Sequence, residues 1–284
     1  MKPIPLRHLK EVFHYFSFFN HALSAREVLR YLSVPASLQA VLEGLEVLKA
    51  QGVVFEKSGW YAMSDEALEL RIQCEQLNES RLKLARRVGK FIAIFPFVRG
   101  VYLSGSLSKS GVQSKDDDLD FFILTASDRV WTAKFFLIAF KKIVLLNSEK
   151  YFCINLLMDQ NRLSLTKCNR YTATEVVSLI ALKNVLGLKQ FLAANQWVLT
   201  YFPNIELDLT HTEVRNSTTV LERILNGLLG DKFERWCKHR FAAHMRLHTD
   251  IKEGYFEAKA HSSAYFPQSV ERQLSKHLEN FEHE

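Results

Sequence analysis

Between residues 24 and 52 the apolar positions fall three and four apart. Val28, Leu29 and Leu32 follow "SARE" (24–27), whose Ser and Glu have the spacing of a capping box. Leu38, Val41, Leu42, Leu45 and Leu48 follow Pro35 and run up to Gly52, a C-terminal stop. "VVFEKSGWYAM" (53–63) reads as two short strands around Ser58-Gly59. Ser64 then opens a long helix from Asp65 to about Phe95, with acids early and bases late, which Pro96 ends. Beyond it the pattern alternates: a strand in "VRGVYLSG", a strand entered at Phe121, an apolar helix near 130–146, and a strand in "YFCINLLMD" (151–159). From Thr172 onward the spacing is mostly helical, most clearly in "EVVSLIALKNVLGLKQFLAANQWVLTYF". Two more helices are expected over 213–249, broken at Gly230, and 254–268 reads as irregular. Strands alternating with helices predict an α/β (α+β) fold: a mixed sheet with flanking helices. The expected divisions are a helix-and-hairpin unit at 1–63, a connecting helix at 64–96, the α/β core at 97–170 and a helical C-terminal region at 171–284.

Composition sharpens this. The 284 residues are 48% hydrophobic and 24% charged, as in folded domains. No stretch approaches the roughly 18 apolar residues of a membrane span; "FFLIAF" (135–140) is stopped by Lys141 and Lys142. The start of the chain has no apolar signal core, so the expectation is a cytoplasmic protein without a membrane partner. Cys74, Cys153, Cys168 and Cys237 lie far apart and point to neither a zinc knuckle nor a disulfide framework. The net charge of +6 is unevenly spread: between Glu79 and Arg99 stand Arg81, Lys83, Arg86, Arg87, Lys90 and Arg99 against one acid. Such a face meets nucleic acid or a triphosphate, or is simply solvated.

Three helices and a hairpin resemble a winged helix-turn-helix domain. Its reading helix, Ser37 to Gln51, carries Glu43 and Glu46 against Lys49. Affinity for DNA rests on neutralising phosphates, so a net acidic helix argues against duplex DNA and for a docking role.

The chemistry concentrates in "YLSGSLSKSGVQSKDDDLDFFIL" (102–124). Asp118 and Asp120 alternate with Leu119 at the mouth of a strand, which puts both carboxylates on one face. Acids held that close raise one another's pKa unless a cation relieves them, and Mg²⁺ prefers oxygen ligands. Gly105-Ser106 follows the preceding strand. Glycine admits a close phosphate, to which backbone amides and the Ser106 hydroxyl can donate. One element for phosphates and one for a metal is the minimum set for phosphoryl or nucleotidyl transfer.

"VYLSGS" (101–106) and "DDLDFFIL" (117–124) resemble the DNA polymerase beta-type nucleotidyltransferase superfamily. Asp117 stands where many members have a Ser. The wider chain is similar to bacterial proteins carrying this domain behind a winged-helix-like segment, in stretches such as "LTASDRVWTAKFFL" and "FLAANQWVLTYFPN". The resemblance implies a nucleotidyltransferase-type mixed sheet and Mg²⁺-dependent attack by an acceptor hydroxyl on the α-phosphate of a nucleoside triphosphate, ATP foremost. Asp118 and Asp120 would be catalytic and hold the metal, with Gly105, Ser106 and Lys109 on the triphosphate. The acceptor stays open: a small molecule, a protein side chain or an RNA end. A non-catalytic, nucleotide-sensing adaptor is the alternative. Family members place a third carboxylate in a neighbouring strand; here Asn155 stands between Ile154 and Leu156, so a metal ligand at that position would be uncharged. Asp159 is expected on the same side of that strand, roughly 13 Å further on.

Other signals are weaker. His244 and His248 sit one helical turn apart, but Phe233, Trp236, Cys237 and Phe241 share much of that face, which favours packing over zinc. Ser104, Ser106, Ser108 and Ser110 form no nucleophile elbow.

Overall fold

The computed structural model describes residues 4–144, 151–205, 219–248, 255–266 and 268–282. The chain begins with α1 (Leu6–Ser17), β1 (Leu23–Ser24), α2 (Ala25–Arg30), α3 (Leu38–Ala50), β2 (Phe55–Lys57) and β3 (Trp60–Ala62). The strands form an antiparallel sheet in the order β1-β3-β2. Local chemistry sets the boundaries. Ser24 and Glu27 cap α2 reciprocally, and the Ser37 hydroxyl accepts from the Ala40 amide. Ser58 and Gly59 both take positive φ, 56° and 80°, as a two-residue hairpin turn requires.

The long helix expected over 65–95 is two helices, α4 (Asp65–Gln73) and α5 (Glu75–Ile92), broken at Cys74. No Gly or Pro announces the break; tertiary contacts impose it. The Asn78 side chain on α5 bonds both the amide and the carbonyl of Val112, at 3.0 Å each. Arg71 on α4 reaches the carbonyls of Lys109 and Ser110. The break lets both helices grip the same loop.

The remainder comprises β4 (Val98–Leu103), α6 (Gly105–Ser108), β5 (Asp120–Thr125), α7 (Val130–Val144), β6 (Cys153–Asp159), α8 (Arg170–Val177), β7 (Ile180–Lys183), α9 (Val185–Ala194), α10 (Val220–Leu228), α11 (Gly230–His248), β8 (Tyr255–Ala258), β9 (Ser262–Phe266) and α12 (Gln268–Glu282). A mixed sheet runs β7-β4-β5-β6-β9-β8, with β5 and β6 parallel and every other pair antiparallel. The architecture is therefore α+β.

Two expectations for the C-terminal region are corrected. Within the stretch where helical spacing is clearest, residues 180–183 form the edge strand β7 beside β4, because a short apolar run satisfies either periodicity. Residues expected to be irregular form the β8–β9 hairpin, which extends the sheet beyond β6. The region after residue 170 is thus not only helical. Residues 145–150, 206–218, 249–254 and 267, on which parts of the expected 130–146, 213–249 and 254–268 segments fall, lie outside the described residues.

Alternation along the strands divides the core. Tyr102, Phe122, Leu124 and Met158 face a cluster that continues into Val12, Phe16, Leu32 and Leu45 of the N-terminal helices. Val101, Leu103, Phe121, Ile123 and Leu157 face Ala85, Ile92, Trp131 and Cys237. Each large side chain buried here contributes roughly 1.5–3 kcal/mol. The first face carries the site.

Candidate functional site

Ser104 stands opposite Asp120 across the β4–β5 pair, its amide donating to the Asp120 carbonyl at 3.0 Å. Gly105 follows at φ +68°, and a Cβ there would overlap the Asp120 carboxylate. Only glycine permits both the left-handed turn and this approach. The Asp120 carboxyl is pushed up to about 6. Burial is the largest cause and the charge of Asp118 adds to it, while side-chain hydrogen bonds from Asn155 and Cys153 oppose them; Glu175 raises it slightly.

Asn155 reaches Asp120 through a register shift. Phe121 pairs with Ile154 but Phe122 pairs with Leu156, so Asn155 is an extra residue in β6. The bulge directs its amide toward the acid while Ile154 and Leu157 both pack on the opposite face. Asn155 Oδ1 accepts from Cys153 Sγ at 3.6 Å. The same shift corrects the expectation for Asp159. One residue out of phase, it pairs opposite Thr125 and falls on the other face from Asn155.

Asp118, Asp120, Gly105, Ser106, Lys109 and Asn155 therefore line one cavity, of about 1340 Å³. Lys109 is engaged: its ammonium lies 2.9 and 3.0 Å from the two carboxylate oxygens of Glu175 and donates to the Gly105 carbonyl at 2.8 Å. The cavity also holds Lys134, Lys141, Lys142 and Arg162. Burial lowers the Lys134 ammonium to about 7, and it donates to Ser263 Oγ at 2.7 Å.

Three groups gain a place in the site only from the fold: Ser104, Glu175 and Lys134. The Ser104 hydroxyl is buried in the cavity wall with no hydrogen-bond partner among the described residues. A lone buried hydroxyl is costly, and a ligand would satisfy it. Glu175 sat within an apparently plain helical stretch, and Lys134 within an apolar helix. Conversely, Lys83, Arg86, Arg87 and Lys90 of the basic run lie on the exposed face of α5, away from the cavity. Arg81 donates to the Asp117 carbonyl and Arg99 pairs with Glu222 at 2.8 Å. His244 is exposed at the cavity rim, Cys237 is fully buried, and the His248 side chain lies outside the described residues.

A second cluster, Asp128, Asp159 and His261, brings three possible ligand atoms within 4.8 Å of one another. Asp159 is already committed to local backbone, accepting from the amides of Asp128 and Asn161 at 2.8 Å each. Its evident work is to fasten the β5–α7 turn.

No family model matches the chain, and neither a curated protein nor a solved structure is similar to it. Among the described residues no helix is long and apolar enough to cross a membrane.

Proposed function

We propose that the protein is a Mg²⁺-dependent nucleotidyltransferase that moves a nucleoside monophosphate from a nucleoside triphosphate, ATP foremost, to an acceptor hydroxyl. The observation that carries this reading is the Asp118–Asp120 pair set against Gly105, with Asp120 raised to about 6 at the wall of a cavity lined with cations. Two adjoining carboxylates, one strained toward protonation, fit a divalent cation, which would neutralise them together with the polyphosphate charge. Asp118 and Asp120 would hold it, and Asn155 could join by turning its amide oxygen away from Cys153.

The chain's own groups do the remaining work. Ser104 and Ser106 offer hydroxyls to phosphate oxygens, and the missing side chain of Gly105 lets the Asp120 carboxylate stand beside them. Lys134, Lys141, Lys142 and Arg162 supply charge complementary to a polyanion. The N-terminal order of three helices and a hairpin supports a winged-helix-like docking module. Its exposed Glu43 and Glu46 turn it away from duplex DNA and toward a protein partner. The shared core with the main sheet supports treating it as part of the same machine rather than as a detachable reader. An adaptor that only senses nucleotide is the second reading, favoured by the uncharged Asn155. A crystal soaked with Mg²⁺ and a non-hydrolysable triphosphate tests the proposal. Density for phosphates beside Gly105 and for an ion beside Asp118 and Asp120 is expected, and phosphates bound elsewhere would contradict it.

A further inference from the structure

The ammonium of a lysine has three hydrogens to donate. In Lys109 all three have acceptors: Glu175 Oε1 at 2.9 Å, Glu175 Oε2 at 3.0 Å and the Gly105 carbonyl at 2.8 Å. Lys109 cannot serve a phosphate while it keeps this arrangement. A polyphosphate brought to Gly105 competes for the ammonium directly, because Lys109 is already bonded to that residue's carbonyl. What Lys109 gives to phosphate it takes from the Gly105 carbonyl or from Glu175, and more than one bond to phosphate must draw on Glu175.

Glu175 is held to face the cavity by its neighbours. Ala173, Thr174 and Val176 are buried, Ala173 and Val176 within the hydrophobic core, which fixes the rotation of α8; Glu175 lines the cavity with Tyr171, Thr174 and Val176. Its charge reaches Asp120 and contributes to raising that carboxyl. Asn155, by contrast, stands beside Asp120 with an amide, which has no lone pair basic enough to take a proton from a hydroxyl. Among the described residues the cavity holds two carboxylates beyond the Asp pair: Glu257, which lies on β8 three strands from β5 and pairs with Lys259 at 2.9 Å, and Glu175, which is latched to the lysine beside Gly105.

Resting on the nucleotidyltransferase reading above, we infer that Glu175 is the catalytic base for the acceptor and that Lys109 holds it closed until a triphosphate draws the lysine away. On binding, Lys109 passes to the phosphates and the Glu175 carboxylate is freed. The acceptor oxygen forms its bond to the α-phosphorus as its proton moves to Glu175. The bond from the α-phosphorus to the bridging oxygen breaks, and its electron pair leaves with pyrophosphate. No oxidant or further co-reactant is required.

The test uses the full chain with Mg-ATP, calorimetry for binding, and pyrophosphate release with water as the acceptor. Glu175→Gln removes the charge and keeps the shape, so Lys109 becomes easier to recruit. Affinity for Mg-ATP should stay equal or rise several-fold while pyrophosphate release falls about 100-fold or more, the usual contribution of a positioned base. Lys109→Met should weaken Mg-ATP binding about tenfold. If Glu175 merely orients Lys109, Glu175→Gln weakens binding instead, which overturns the latch. Unchanged release in Glu175→Gln, or binding by the wild type with no release, overturns the base. A wild type that binds no Mg-ATP contradicts the nucleotidyltransferase reading itself. Thermal melts of each variant separate misfolding from these outcomes, and Glu175→Asp provides a second carboxylate variant whose release should exceed that of Glu175→Gln.

Discussion

Gly105 leaves room for Asp120: a side chain at the glycine would occupy the space of the aspartate's carboxylate. The pair joins the turn after β4 to the mouth of β5, the two elements that the proposed chemistry needs in contact. Gly105→Ala should therefore cost more than its left-handed φ alone, which is about 1–2 kcal/mol. Urea unfolding should show a total loss above about 2 kcal/mol. In an Asp120→Ala background the loss should shrink by about 1 kcal/mol, because part of the overlap is gone.

Asp120 also sets a pH dependence. Its folded pKa, about 6, lies above the ordinary 3.8, so the folded state binds the proton more tightly than the unfolded chain does. The associated stability is complete below about 3.8 and is lost as pH rises through 6. Asp120→Asn does not carry this loss. Without divalent metal, its stability relative to wild type should improve by on the order of 2 kcal/mol between pH 4 and pH 7. Chemical denaturation across that range measures it, and a flat difference would contradict the assigned strain.

Arg71 ties the N-terminal unit to the loop that follows Gly105. It donates to the carbonyls of Ser110 at 2.6 Å and Lys109 at 3.1 Å, lies 3.5 Å from Glu27, and sits 4.2 Å over the ring of Trp60. His21 is held down to about 3, chiefly by burial, so its neutral ring can accept from Arg71 at 3.3 Å. Arg71→Ala strands these acceptors and should cost about 3 kcal/mol. Hydrogen exchange of residues 109–111 should quicken, whereas unchanged exchange would show that Arg71 does not hold the loop.

Much of this was legible in the chain, for identifiable reasons. Ser24 and Ser64 announced their helices because caps act locally. Asp118 and Asp120 declared themselves by standing against an apolar strand. What the sequence concealed depends on contacts made at a distance. The break at Cys74 has no local cause. β7 is an apolar run compatible with either period, and the β6 bulge appears only when Ile154 and Leu156 find their partners on β5. Glu175 looked like an ordinary helical glutamate until α8 was docked.

The bulge makes a further variant informative. Asn155→Asp would place a third charge beside Asp120, disfavouring the metal-free site and favouring an occupied one. Titration with Mn²⁺ as a probe should show binding tightened about tenfold. An unchanged affinity would mean that residue 155 does not share the ion.

The proposed function requires Asp118 and Asp120 to form a metal-dependent site for a nucleoside triphosphate. Calorimetric titration of the full chain with ATP, with and without Mg²⁺, tests it most directly. Binding is expected only with the metal, and it should weaken at least tenfold in Asp118→Ala and Asp120→Ala proteins that remain folded. Equal affinity in the wild type and both variants would contradict the account.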